Sequence, residues 1–341
     1  MNDVKPYLVD VPVRVNVWIR PECQQKQFAV LKQARPSIMF LISDGGRNEV
    51  EWEAIRQNRA LFDEQIDWDC TVYKLYEDHN NGLYTMARKG ADLIWSKVDR
   101  CIFLEDDQLP SVCYFRFCAE LLEKYKDDTR ITAIAAMNHA GVWERASADY
   151  FFCERGAIWG LATWKRSFAY RENAFAYGDD PYVFNLLKQR TKHVPVFSKR
   201  MQMYAKQEVY GGHVAGGEFY QSFNVYAHNQ LFIVPKYNMM CNIGCTADSA
   251  HASEFALLPK AIRRIFNMKT YEYEFPLKHP QYMVPDADYR ELEDRTLATG
   301  RPLRTFKRRI EVFFLVIRHR GLDGIKKKIS KQRERRGKIE T

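Results

Sequence analysis

Short apolar runs alternate with helix-length amphipathic segments over the first 140 residues, and this alternation constrains the fold most strongly. Residues 38–43 (IMFLIS) and 101–104 (CIFL) are almost wholly apolar, which is typical of parallel strands buried on both faces. The βαβα order predicts a doubly wound, mostly parallel α/β sheet with helices on both faces. The pattern predicts strands over 11–19, 38–43, 70–76, 101–104 and 131–136, and helices over 24–34, 49–66, 83–96 and 114–125.

Polar motifs follow three of these predicted strands at the point where each strand ends. Ser43-Asp44-Gly45 follows one, Glu77-Asp78-His79-Asn80 the next, and Glu105-Asp106-Asp107 the third. Open α/β sheets bind ligands at the carboxyl ends of their strands. The placement of these motifs therefore predicts one ligand site along that edge.

The acidic triplet Glu105-Asp106-Asp107 has two interpretations. Adjacent carboxylates repel one another, so they are tolerated in a solvated turn or stabilised by a cation between them. Mg²⁺ and Mn²⁺ prefer such oxygen ligands, keep several waters and accept phosphate oxygens as further ligands. The position of the triplet at a strand end, with Asp44 at a neighbouring strand end, favours a metal–diphosphate site.

Five ordered segments carry a resemblance to a known family. Those segments include Leu104-Glu105-Asp106-Asp107-Gln108-Leu109-Pro110, Trp159-Gly160-Leu161-Ala162-Thr163-Trp164-Lys165-Arg166 and Asn242-Ile243-Gly244. From about residue 11 to 255 the chain resembles the GT-A nucleotide-diphospho-sugar transferases, in particular a bacterial group with LEDD-x-LP and WG-x-ATW-[RK]R motifs. It is also similar to the N-acetylglucosaminyltransferase I branch. The resemblance implies a GT-A (Rossmann-like) sheet followed by a less regular acceptor-side extension.

The resemblance also implies roles for residues near the nucleotide. It assigns Asp44 to the edge of the base, and Asn80 or Asn81 to a turn beside the nucleotide. Asp107 would bind the metal, Mn²⁺ or Mg²⁺, while Asp106 would face the ribose or the water shell of the metal.

Two further residues each have two interpretations. Arg14, on the first strand, either meets the nucleotide or lies on a solvated edge of the sheet. His251 follows the Asn242-Ile243-Gly244 segment, and either binds the metal or diphosphate or is a hydrogen-bonded structural histidine.

A general base must take the proton of the acceptor hydroxyl as it attacks the anomeric carbon. The resemblance points to the pair Asp179-Asp180, with Asp180 preferred, and to inversion at the anomeric carbon. Asp180-Pro181 is equally an ordinary helix start, with Asp180 as the N-cap. Glu154 is the competing base. Trp159 and Trp164 either line the acceptor cleft or belong to the core.

The positive charge of the chain is concentrated in its last residues. The chain has 52 Lys/Arg and 43 Asp/Glu. Residues 301–341 alone hold 15 Lys/Arg and 4 Asp/Glu, so residues 1–300 carry a net charge of −2. A globally basic nucleic-acid binder is therefore excluded. Basic blocks flank an apolar stretch at 312–317, which is the pattern of an amphipathic helix on an anionic membrane surface. The alternative is a helix packed on the domain and followed by a solvated tail.

The remaining features concern compartment and domain organisation. The eight cysteines are scattered and form no CxxC pair, and the sequence has no signal-peptide pattern and no long apolar run. These features predict a cytoplasmic protein, and the basic tail predicts peripheral binding to the inner face of the cytoplasmic membrane. We expect a GT-A domain over 1–260, with a nucleotide-binding half over about 11–140 and an acceptor half over about 141–260. A connecting segment (261–300) and the basic tail (301–341) follow.

Together these features predict a metal-dependent glycosyltransferase. It would move a sugar from a nucleotide-diphosphate donor, a UDP-sugar by resemblance, to an oligosaccharide or lipid-linked glycan of a bacterial surface polysaccharide or lipopolysaccharide. One alternative is a sugar-phosphate nucleotidyltransferase, which should carry a Gly-rich, Lys/Arg-bearing loop after the first strand. The chain instead has Trp18-Ile19-Arg20-Pro21-Glu22 there. A second alternative is a catalytically silent, membrane-associated glycan-binding protein.

Overall fold

Most of the predicted elements are present in a computed structural model, which describes residues 4–170, 175–205, 215–245, 255–297 and 301–337. The strands are β1 (Val9–Asn16), β2 (Pro36–Ser43), β3 (Thr71–Tyr76), β4 (Arg100–Leu104), β5 (Gln108–Pro110), β6 (Ile131–Ala135), β7 (Tyr150–Cys153), β8 (Leu161–Trp164), β9 (Leu231–Pro235) and β10 (Met240–Asn242). The helices are α1 (Pro21–Ala34), α2 (Glu49–Gln65), α3 (Leu83–Lys97), α4 (Cys113–Lys124), α5 (Lys165–Ala169), α6 (Pro181–Thr191), α7 (Pro195–Ala205), α8 (Gly217–His228), α9 (Lys260–Arg263), α10 (Ala287–Leu297) and α11 (Pro302–Gly337), with a 3-10 turn at Ala176–Asp179.

The main sheet has eight strands in the order β3-β2-β1-β4-β8-β6-β9-β7. Strands β3, β2, β1 and β4 are mutually parallel, whereas β8 and β7 run opposite to their neighbours. Six of the eight strands therefore point the same way. The predicted fold class, a doubly wound and mostly parallel α/β sheet, is confirmed.

Both faces of the central strands are covered, as their apolar runs predict. On β2, Phe40 and Ile42 are buried in one cluster with Met86 and Ile94 of α3. The alternate residues Met39 and Leu41 are also fully buried, and they point to the other face. Right-handed crossovers place α1 and α2 together on that second face. Their ring pair Phe28–Phe62, with centroids 5.3 Å apart, agrees with this placement.

The strand order reverses between β1 and β4, and this reversal positions the site. The chain passes from β1 outward to β2 and β3, and then returns to the other side of β1 as β4. Arg14 pairs with Phe103 and Val15 with Leu104 in this register. The loops after β1 and β4 thus diverge from adjacent points, and the crevice between them is where a doubly wound sheet binds its ligand.

Strand β1 ends earlier than predicted, at Asn16 rather than at residue 19. Its partners end there as well, since Val15 faces the last residue of β4 and Asn16 faces Ile42 near the end of β2. Residues 17–20 therefore have no continuous ladder and form a connection, and α1 begins at Pro21. This connection carries Arg20.

The chain forms two compact units. The first comprises 1–174, 216–244 and 267–290 and contains both sheets, and the second comprises 175–215, 245–266 and 291–341. All eight cysteines are free thiols. In the described ranges no helix is both long and apolar enough to cross a membrane.

Candidate active site at the strand ends

The carboxyl edge of strands β1 to β4 gathers most of the residues that the sequence nominates. A cavity of about 340 Å³ opens there, lined in part by Arg14, Asp44, Asn80 and Asp106. A larger and more open depression, of about 530 Å³, lies at the opposite edge around Asp99 and Lys165. We take the smaller cavity as the site because it contains the strand-end carboxylates and lies at the switch point of the sheet.

Asp44 links the loops that follow β2 and β3. Its Oδ1 accepts hydrogen bonds from the backbone N–H groups of Gly45 (2.9 Å) and Asn81 (2.8 Å), and its Oδ2 accepts from that of Gly82 (2.8 Å). Asn80 donates to the carbonyl oxygen of Gly45 (2.8 Å). These bonds give Asp44, Asn80 and Asn81 a role in shaping the cavity wall. The side-chain amide of Asn81 also donates to Oδ1 (3.4 Å), so only Oδ2, with one donor, keeps an acceptor position for a ligand.

Arg59 of α2 is a residue that sequence reasoning missed. Its guanidinium donates to the hydroxyl and carbonyl oxygens of Ser43 and to the carbonyl oxygens of Asp44 and Glu77. It also lies 4.6 Å from the ring centroid of Tyr76. A single cation thus holds the ends of two strands together, in a contact that no local sequence pattern reveals.

Arg14 is buried, so the interpretation that it lies on a solvated edge is wrong. Only 8% of it is exposed, and its guanidinium bonds Glu105 (Nη1 to Oε1, 3.2 Å) and Asn16. Asn16 in turn donates to the other oxygen of Glu105. The first carboxylate of the triplet is therefore neutralised by Arg14, and the two aspartates remain for other cations. Contact between Arg14 and a nucleotide stays a prediction.

Asp106 and Asp107 direct one oxygen each toward the same point. That point holds Nη1 of Arg20, 2.7 Å from Oδ1 of Asp106 and 3.2 Å from Oδ2 of Asp107. The arrangement overturns the solvated-turn interpretation, because only 7% of Asp106 is exposed. Arg20 is the second residue that sequence reasoning missed, since its role depends on where strand β1 ends.

Burial dominates the electrostatics of these two aspartates. Desolvation is the main cause that raises the pKa of Asp106 to about 7, with Asp107 and Glu105 adding to the rise and Arg20 opposing it. Desolvation also raises the pKa of Asp107. Both carboxylates would therefore be stabilised by a further positive charge.

The Asn242-Ile243-Gly244 segment lies directly against Asp107. Strand β10 pairs with β5 so that Asn242 faces Gln108, and the N–H of Ile243 donates to the carbonyl oxygen of Asp107 (2.8 Å). A Cβ on Gly244 would lie 2.5 Å from Oδ2 of Asp107. The motif that supported the resemblance thus belongs to the wall of the acidic site. His251, seven residues further on, lies outside the described residues.

The two aromatic candidates occupy opposite edges of the sheet. Trp164 pairs with Arg100 at the amino end of β4, is 3% exposed and donates its indole N–H to the carbonyl oxygen of Leu122 (3.0 Å). It is a core residue, so its interpretation as a cleft residue is wrong. Trp159 is half-buried and precedes Gly160, whose N–H donates to Gln108 (3.0 Å) next to the triplet.

The candidate bases fall in different places. Glu154 follows β7, which runs antiparallel, and therefore lies at the edge opposite the triplet, where Arg290 bonds it at 2.5 Å. The structure does not support it as the base. Asp180 is the N-cap of α6, in the second unit, and its Oδ1 accepts from the N–H groups of Tyr182 (2.9 Å) and Val183 (3.1 Å). Asp179 ends the preceding 3-10 turn and is exposed.

The donor set at Asp106 and Asp107 fits a hard divalent cation. Two carboxylate oxygens converge on one point, which Nη1 of Arg20 occupies in the structure. The buried Oδ2 of Asp106 has no hydrogen-bond partner among the described residues. Within the same residues no group of three His, Cys, Asp or Glu side chains could hold a metal ion. A cation here would depend on waters and phosphate oxygens for its other ligands, as Mg²⁺ commonly does.

No protein-family profile and no curated protein matches the chain. Among solved structures it is similar to the mannosyltransferase PcManGT from Pyrobaculum calidifontis in complex with GDP-Man and Mn²⁺, at 11% identity and a TM-score of 0.36, over 66% of this chain and 72% of that one. Mouse xyloside xylosyltransferase 1 matches at 14% identity and a TM-score of 0.34, over 82% of this chain and 100% of that one. A UDP-glucose pyrophosphorylase complexed with UDP-glucose matches at 12% identity and a TM-score of 0.28, over 47% of this chain and 78% of that one. At these values the matches assign no residue and no activity to this chain.

Proposed function

We propose that the chain is a metal-dependent glycosyltransferase that uses a nucleotide-diphosphate sugar. The observation that carries the proposal is the convergence of Asp106 and Asp107 on one cation position, beside a cavity at the switch point of the sheet. A nucleotide base and ribose would occupy the cavity between the loops of Asp44 and Asn80. The preference for UDP-sugars rests on the resemblance of the sequence.

The residues of the site divide the chemistry between them. Asp107 and Asp106 would hold Mn²⁺ or Mg²⁺, which when bound neutralises the negative charge that develops on the leaving diphosphate. Arg14 pairs with Glu105 and offsets part of the repulsion that this carboxylate adds to Asp106 and Asp107. The guanidinium of Arg20 lies at the point where the two carboxylate oxygens converge, so it would have to move aside for the cation.

Asp180 is our proposed general base, with Asp179 as the second candidate, and the reaction would invert the anomeric carbon. This assignment rests on the resemblance, because the structure records Asp180 as a helix cap. Asn caps helices as well as Asp does. Asp180→Asn therefore removes the base but keeps the cap, and we expect turnover to fall by a factor of about 10² or more with the melting temperature unchanged. Near-normal turnover in both Asp180→Asn and Asp179→Asn would reject the assignment.

The acceptor that we propose is a glycan, either an oligosaccharide or a lipid-linked chain of a bacterial surface polysaccharide, reached from the cytoplasmic side of the membrane. His251 remains a proposed metal or diphosphate ligand. The sequence features behind these proposals are the basic tail and the Asn242-Ile243-Gly244 segment.

The deciding experiment is donor turnover. Purified protein is incubated with a panel of UDP-hexoses and UDP-N-acetylhexosamines, with Mn²⁺ or with a chelator, and release of UDP is measured. We expect release from one donor, only with the metal, and its loss in Asp107→Asn. The matched control is Asp92→Asn, an exposed carboxylate on α3, which should behave as wild type. Metal-independent release, or release unaffected by Asp107→Asn, would reject the proposal.

The nucleotidyltransferase alternative has a distinct signature. It would form pyrophosphate from UTP and a sugar 1-phosphate. The connection after β1 runs directly into α1 at Pro21 and holds no glycine, which disfavours it. No release of nucleotide diphosphate from any donor, with or without Mn²⁺, would favour the glycan-binding alternative.

A further inference from the structure

Helix α11 is interrupted by a kink at Gly321 (φ 62°), and the part before Gly321 presents an apolar stripe to solvent. Five of its large apolar side chains are between 41% and 78% exposed: Leu303, Phe306, Ile310, Phe313 and Phe314. Their spacing of three, four, three and one residues places them on one face of the helix, in a stripe roughly 100° wide. Clustered apolar side chains at such exposure mark interaction surfaces rather than ordinary surface.

The opposite face of the same helix packs and forms hydrogen bonds within the second unit. Val316 is 3% exposed, Glu311 accepts a hydrogen bond from the N–H of Lys260 (2.7 Å), and Arg308 donates to the carbonyl oxygen of Thr296. The exposed stripe is therefore not the face that packs on the protein. The alternative from the sequence is a helix packed on the domain and followed by a solvated tail. The packing is present on this face, and the helix exposes an apolar stripe in addition.

Basic side chains border the stripe along its length. Helical spacing places Lys307 and Arg318 along one border and Arg309 and Arg320 along the other, and all four are exposed. Glu311 is the only acidic residue between 302 and 320, and its side chain is already bonded. The second unit as a whole carries 25 Lys/Arg and 12 Asp/Glu, a net of +13, whereas the first carries 27 and 31, a net of −4.

We propose that this stripe, defined as Leu303, Phe306, Ile310, Phe313 and Phe314, binds the surface of an anionic lipid bilayer, with the part of α11 before Gly321 lying in the plane of the interface. An apolar face bordered by Lys and Arg matches acyl chains below and anionic headgroups on either side. A second copy of the chain would bring like-charged borders together. Nucleic acid offers nothing apolar to the phenylalanines. This inference does not depend on the proposed reaction.

Flotation of the full-length protein with vesicles tests the proposal. The probes are vesicles of phosphatidylcholine alone and of equimolar phosphatidylcholine and phosphatidylglycerol, at low and high salt. We expect binding to the anionic vesicles only, weakened by salt. The variant Phe306→Ser/Phe314→Ser should lower the partition coefficient by about tenfold or more. Its control is Tyr282→Ser/Val284→Ser, an equally exposed apolar pair in the first unit, which should bind as wild type.

The charged borders have their own variant and control. Arg309→Gln/Arg318→Gln should lose affinity for anionic vesicles, whereas Lys26→Gln/Lys124→Gln, two exposed lysines of the first unit, should not. The melting temperature and circular dichroism of each variant establish that it is folded.

Three results would overturn the proposal. The first is that the wild type does not bind anionic vesicles. The second is that Phe306→Ser/Phe314→Ser binds them as strongly as the wild type. The third is that the wild type dimerises with rising concentration but binds no vesicles, and that this variant abolishes the dimer. Release of UDP in solution, measured on the same variants, reports separately on the proposed reaction.

Discussion

At the scale of single residues, the site holds the carboxylate of Asp106 in a buried position with little access to water. Asp106 combines a burial-raised pKa of about 7 with an oxygen that lacks a partner among the described residues. Arg20 contacts both Asp106 and Asp107 and offsets only part of this cost. The sequence predicted the carboxylates but not Arg20, because the pairing depends on β1 ending at Asn16 and on the connection that follows.

The first prediction concerns Asp106 and pH. Its pKa is about 7 when folded and about 3.9 when unfolded, so only the folded protein holds this proton between those values. Its contribution to stability therefore decreases as pH rises from about 4 to about 7. We compare the free energy of unfolding of Asp106→Asn with that of the metal-free wild type. Between pH 5 and pH 8 the difference should shift in favour of the variant by about 2–4 kcal/mol. Urea unfolding in chelator at both pH values measures this, and an unchanged difference would contradict it.

The second prediction concerns Arg20. Its guanidinium lies between the two carboxylates that would hold a divalent cation, so the two positive charges compete. Arg20→Gln should bind Mn²⁺ about tenfold more tightly than wild type when no nucleotide is present. Titration followed by electron paramagnetic resonance measures free Mn²⁺ directly. Arg47→Gln is the control, since Arg47 lines the cavity but pairs with Glu51; weaker Mn²⁺ binding by Arg20→Gln would refute the competition.

At the scale of elements, strands and helices with strong periodicity were predictable. Helix α2 begins at Glu49 as predicted and ends at Gln65 rather than 66, and β2 begins two residues before its predicted start. The short strands β5 and β10 were not predictable. Each has three residues, and their pairing joins segments about 130 residues apart, so neither periodicity nor local turn chemistry indicates it. This small sheet is nevertheless what brings Gly244 to Asp107.

The third prediction follows from that small sheet. In Gly244→Ala the new Cβ would meet Oδ2 of Asp107 at 2.5 Å, and the carboxylate would have to move. We expect Mn²⁺ affinity to fall by a factor of about ten, with only a modest loss of stability. The control is Gly217→Ala, where a Cβ meets nothing within 4 Å. Calorimetric titration of Mn²⁺ into both variants compares them, and equal affinities would show that Gly244 does not position Asp107.

At the scale of the whole molecule, charge separates the two functions that we propose. The first unit is slightly acidic and contains the carboxylate site, and the second is strongly basic and carries the exposed stripe of α11. Sequence arithmetic predicted the basic tail over 301–341, which supplies a net charge of +11 to the second unit, but not that residues 175–215 and 245–266 belong to the same unit. It could not predict that α11 exposes one apolar face while packing the other, since both faces have the same helical period.

Titration of UDP into the full-length protein by calorimetry tests the central claim most directly, namely that Asp106 and Asp107 hold a divalent cation that binds the diphosphate. The account predicts UDP binding with Mn²⁺, binding weakened by a factor of about 10² or more in chelator, and the same loss in Asp107→Asn but not in Asp92→Asn. UDP binding of equal strength with Mn²⁺ and with chelator, or undiminished in Asp107→Asn, would contradict it.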